Sequence, residues 1–127
     1  MALVHVAATR NAMANACVDR IDLGTADATG DLVIMTSGDV EVSTHLCANP
    51  AFGDSSSGTA TANAIADDTS AAGGTAAKFK FQDRDNGEVF RGSVTAGGGG
   101  GDIELDNVSV GVAVTVSITA FSYSASA

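Results

Sequence analysis

The stretch KFKFQDRDNGEVFRGSV, Lys78 to Val94, decides the fold. Phe79 and Phe81 alternate with Lys78 and Lys80, so one face is apolar and the other charged. That period of two marks a half-buried strand. Glu88 to Val94 supplies a returning strand that carries Val89 and Phe90. Asn86-Gly87 between them suits a type I′ turn, whose two central residues need positive φ. A calcium loop is the competing reading. It wants acids or amides at positions 1, 3 and 5, glycine at 6 and a bidentate glutamate at 12. With Asp83 and Asp85 at positions 1 and 3, Asn86 and Gly87 each arrive one residue early. Position 12 is then Val94, which cannot chelate. The stretch therefore reads as a hairpin tip whose acids face solvent or a basic neighbour.

Working outward, DLVIMTSGDVEVSTHL gives two short strands joined at Ser37-Gly38-Asp39. In the second, Val40, Val42, Thr44 and Leu46 form the buried face, and Glu41, Ser43 and His45 the wet one. CANPAFGDSSSG is a loop with the single proline, Pro50, and an aromatic anchor, Phe52. TATANAIA is a weak strand ending at Ile65. Gly97 to Gly101 form a flexible connector. They are not a phosphate loop, which ends in Gly-Lys-Ser/Thr and opens a helix. DIELDNVSV changes phase at Asp106-Asn107, where a bulge or turn is expected. Val112, Val114, Val116 and Ile118 then share one face of the strongest strand, VAVTVSITAFSYS. The spacing also predicts a helix over residues 9–23, capped by Thr9 and ended by Gly24. Its apolar stripe is Met13, Cys17 and Ile21.

These elements predict an all-β fold, an antiparallel β-sandwich or jelly-roll-like barrel of about seven or eight short strands with one N-terminal α-helix. Residues 1–24 form the N-terminal arm and helix, and residues 25–127 the β-sandwich body, a single domain overall.

Composition narrows the function. The chain has 127 residues and a formal net charge of −9. That balance opposes nucleic-acid binding and docking on anionic membranes. No apolar run approaches the roughly 20 residues of a membrane span. The opening MALVHVAATRNAM is too short in apolar residues for a signal peptide, which points to synthesis and retention in a cytoplasm, or release by lysis. Cys17 and Cys47 lack CxxC spacing, which removes thiolate zinc and redox motifs. Cys47 and His45 share a strand face at i, i+2, so a nucleophile–base dyad is sterically conceivable, but no third group or oxyanion loop follows it. No catalytic, cofactor or metal site emerges, and a non-enzyme is expected. Phe52 and Tyr123 are the only plausible sugar-stacking rings, and both are more simply anchors in the core or an interface.

The ordered phrases NPAFG, GTAAKF and GSVTAGGGGGDIELD lie between an Ala/Asn-rich helix and the close GVAVTVSITAFSY. Over nearly the whole chain this series resembles small structural proteins encoded among the virion genes of tailed bacteriophages. The resemblance implies a head-decoration or cement protein, or else a minor tail or fibre-associated protein with a host-glycan or receptor role. It implies localisation in the virion and partners such as the major capsid protein or other virion proteins, without nucleic acid or membrane. A homo-oligomer is expected, with a trimer as its form. The segment MALVHVAATR suits addition to a neighbour's sheet edge.

Overall fold

The computed structural model describes residues 3–125; Met1, Ala2, Ser126 and Ala127 lie outside it. Helix α1 (Ala7–Val18) runs into a 3-10 turn, Asp19–Asp22. The strands are β1 (Asp31–Met35), β2 (Glu41–Leu46), β3 (Thr59–Thr61), β4 (Gly74–Thr75), β5 (Lys78–Gln82), β6 (Glu88–Ala96), β7 (Ile103–Leu105), β8 (Ser109–Val110) and β9 (Ser122–Ser124). The molecule is mostly β with one N-terminal helix. Its main sheet is curled and runs β2-β1-β5-β6-β7, with two-stranded ribbons β3–β9 and β4–β8. The sheet is mixed and not antiparallel throughout, because β6 and β7 run parallel.

The hairpin β5–β6 forms as expected, and its phenylalanines organise the core. Cross-strand partners point to the same face, so the register puts Leu32, Ile34, Phe79, Phe81 and Phe90 on one side. Phe52, Phe79, Phe81, Phe90, Phe121 and Tyr123 meet there in one aromatic cluster. Phe79 and Phe121 lie 5.3 Å apart, Phe81 and Phe121 5.1 Å, and Phe52 and Phe81 5.6 Å. Each fully buried ring contributes about 1.5–3 kcal/mol. The scarce aromatic residues are therefore concentrated where β5, β6, the β9 segment and the loop carrying Phe52 converge.

The helix packs with a different phase from the expected stripe. Ala14, Val18 and Ile21 are buried, whereas Met13 is exposed and Cys17 only half-buried. Thr9 does not cap it; Val6 precedes the first turn without a side-chain cap. The polar face is committed instead. Asn11 Oδ1 accepts the Gly58 N–H at 2.8 Å and Asn15 Oδ1 accepts the Ser55 N–H at 2.9 Å. These two amides bracket the loop before β3, and that fixes the helix rotation. Gly24 does adopt positive φ, at 116°, after the 3-10 turn.

Strand β2 also reverses the expected phase. Ile34 pairs with Ser43 but Met35 pairs with Glu41, so Val42 is the extra residue of a bulge. A one-residue insertion flips every side chain beyond it. Val42 stays in the core, Ser43 and His45 follow it inward, and Leu46 is 58% exposed. His45, expected on the wet face, is fully buried.

Three further segments depart from expectation. The hairpin tip is not type I′: Asn86 has φ 64° but Gly87 is not in the positive region. The Asp83 carboxylate accepts the N–H groups of Asp85 and Gly87, closing the loop from inside. Asp85 is exposed, as expected, but it is also engaged. Asp85 Oδ1 accepts the N–H groups of Thr25 and Ala26 at 2.9 Å each, docking the tip onto the helix–sheet linker. Those bonds hold the Asp85 carboxyl below the usual range.

The glycine run is not a loose connector. It reverses the chain twice between parallel neighbours, which normally need a crossover of a dozen residues or more. Gly98 and Gly100 take φ 84° and 81°. Glu104 Oε1 and Oε2 accept the N–H groups of Gly98 and Gly100, so an internal carboxylate fills the nest these amides form. The strongest expected strand, residues 112–124, survives only as β9. Ala113 turns at φ 64°, Val112 and Val114 are exposed, and Val116 and Ile118 are buried. The turn expected at Asp106-Asn107 is present, with Asn107 Oδ1 accepting the Ser109 N–H.

Candidate functional site

The dyad conceived between Cys47 and His45 is not formed. His45 Nδ1 lies 2.9 Å from the Ala66 carbonyl, which can only accept, so Nδ1 carries the proton. Nε2, 3.0 Å from Ser43 Oγ, therefore accepts the serine hydroxyl. Ser, His and an orienting acceptor are the parts of an activated nucleophile. Both side chains have no exposed surface, however, and neither lines any of the cavities described below. The pair is a satisfied polar brace tying β2 to the segment after β3. The inverted phase of β2 hid it from the sequence. Cys47 is buried, and burial first, then Asp31 and Asp22, pushes its thiol up to about 12. A thiol held protonated is a poor nucleophile.

Several cavities mark the surface. One, about 540 Å³, lies inside the 105–117 loop against Val110, Val114 and Val116. A second, about 300 Å³, lies on the outer sheet face over Asp31, Val33, Met35 and Lys80. Asp31 is buried there, Oδ1 has no partner, and burial with the nearby Asp27 pushes its carboxyl up. Asp39 at its rim takes Lys78 at 3.1 Å and Arg91 at 3.4 Å, and Arg91 pairs with Glu88 at 2.6 Å. Exposed pairs of this kind add little stability. Among the described residues no group of His, Cys, Asp and Glu side chains could hold a metal ion.

The third cavity, about 370 Å³, is a cleft between β6 and β9, lined by Phe79, Phe90, Arg91, Asp102, Phe121, Ser122, Tyr123 and Ser124. Phe90 and Tyr123 are half-buried, with ring centres 5.2 Å apart. The neighbouring Cys17 thiol, and then burial, push the Tyr123 phenol up. Asp102 closes one end, accepting the Ser93 N–H at 3.0 Å. Gly92 keeps the cleft open, because a Cβ there would stand 2.6 Å from both Phe79 and Asp102. Of the two rings considered for sugar stacking, Tyr123 lines this cleft, whereas Phe52 is buried in the core.

The described N-terminal segment supplies the other prominent surface feature. Leu3, Val4 and Val6 are 86%, 80% and 70% exposed, ahead of a helix whose own apolar face is buried. No family model, curated protein or solved structure matches the chain.

Proposed function

We propose that this chain is a structural virion protein of a tailed bacteriophage, a capsid decoration or cement protein acting through contacts between subunits and with the major capsid protein. The apolar arm Leu3–Val6 carries this reading. Three large aliphatic side chains exposed on one short segment form an apolar surface that a partner would cover with a gain in free energy. A net charge of −9 keeps separate copies soluble before assembly. The architecture proposed for this role is a β-sandwich, with the β3–β9 ribbon and α1 as the layer facing the main sheet. Purified particles with and without the gene, heated or osmotically shocked, test the reading. Loss of particle stability in the deletion supports it; full stability, with the protein missing from wild-type particles, overturns it.

A second reading, a tail- or fibre-associated protein that binds host glycans, draws on the cleft between β6 and β9. Half-exposed Phe90 and Tyr123 rings beside the Asp102 carboxylate offer a flat apolar surface with an adjacent acceptor. A glycan-array signal lost in Tyr123→Ala supports it, and a blank array removes it.

A further inference from the structure

We infer that the cleft between β6 and β9 is a strand-acceptor slot and that its occupant is the Leu3–Val6 arm of a second copy of the chain. The inference rests on the assembly role proposed above and names the surface that serves it.

Main-chain geometry carries the argument. Ala62 N–H donates to Phe121 O and Ala125 N–H to Gly58 O, which makes Ala60 and Tyr123 the hydrogen-bonded pair of the β3–β9 ribbon. Alternation then turns the N–H and C=O of Ser122 and Ser124 to the opposite edge, toward the cleft. On the facing strand, Val94 N–H donates to Ala77 O, so the same alternation directs Gly92 and Phe90 toward β5 and turns the main chain of Arg91 away from it. Strand β7 begins pairing only at Val94 and leaves Arg91 uncovered. The Arg91 guanidinium, engaged with Glu88 and Asp39, is not available to fill the space. The strand pairings give the main chains of Arg91, Ser122 and Ser124 no partner strand on this side. Two unpaired strand edges thus face each other across a floor of Phe79, Phe90, Phe121 and Tyr123.

Open strand edges are normally blunted or paired. A sugar would use the aromatic floor but would leave most of this row of donors and acceptors unmatched. An extended apolar segment satisfies both, with main-chain bonds to the edges and alternate side chains on the floor. The chain carries such a segment. Val6 is extended, at φ −65° and ψ 158°, and Leu3, Val4 and Val6 are exposed while His5 is half-buried. Val4 and Val6 share one side of an extended strand and present two β-branched side chains to the rings. Donor and acceptor on one chain give a head-to-tail contact, which closes into a ring or continues as an array.

Hydrogen exchange on the full chain tests this at several protein concentrations. A chain lacking residues 3–6 and a Val4→Asp/Val6→Asp chain serve as comparisons, each with its fold checked by circular dichroism. In the full chain, exchange in segments 89–92 and 119–125 should slow by about tenfold or more as concentration rises, with no such change in either variant. Protection independent of concentration, lost in both variants, would mean that each arm fills its own slot and would overturn the second copy as occupant. Protection equal in all three chains, or absent throughout, would overturn the slot itself. Neither result bears on whether the protein is found in purified particles, which tests the proposed function separately.

Discussion

At the residue scale, buried polar groups divide into satisfied and unsatisfied ones, and the two respond differently to change. Ser43 and His45 are both bonded, so removing His45 would strand the Ser43 hydroxyl in the core and break the tie to the Ala66 carbonyl. His45→Ala should cost about 2–4 kcal/mol in denaturant melts, from the cavity plus the unpaired groups. Asp31 has an oxygen without a partner, and its carboxyl is raised from 3.8 by burial, then by Asp27. The folded state therefore holds this proton more tightly than the unfolded state does. Stability is lost as pH rises from 3.8 through the raised folded value. Asp31→Asn should raise stability by about 1 kcal/mol at pH 7. The gain should shrink on acidification below 3.8, and thermal melts across pH read both signs. Cys47, pushed up to about 12, should resist iodoacetamide in the native chain, while half-buried Cys17 labels first. Mass spectrometry of the alkylated chain checks this, and equal labelling would show that the segment after β2 opens readily.

At the element scale, the sequence revealed periods better than phases. Phe79 and Phe81 against Lys78 and Lys80 located β5 because nothing interrupts that alternation. The alternation of Val40 to Leu46 points to the wrong phase because a bulge at Val42 reverses it, and a bulge leaves no compositional mark. The helix stripe slipped for a comparable reason: Asn11 and Asn15 bond a loop forty or more residues away. The cleft was legible only as Tyr123, since an unpaired strand edge belongs to the tertiary arrangement. The five glycines were the least informative segment in sequence and are among the most constrained in the fold. Gly98→Ala and Gly100→Ala should each cost about 1 kcal/mol, because each holds a left-handed φ. Gly97→Ala meets open space without positive φ and should be close to neutral. Equal effects at all three positions in urea melts would contradict the ordered double reversal.

At the scale of the whole molecule, the chain buries its aromatic residues well and leaves an aliphatic arm in water. The central claim is that this arm has a partner and that assembly depends on it. Acidic self-repulsion acts against assembly and is screened by salt, so association should strengthen as ionic strength rises toward 0.15 M. The mass in solution tests the claim most directly, measured by sedimentation equilibrium across a hundredfold concentration range for the full chain and for the chain lacking residues 3–6. The expected result is a concentration-dependent multiple of the chain mass for the full protein and a monomer for the truncated one. A full chain that stays monomeric throughout, or a truncated chain that assembles equally well, would contradict it.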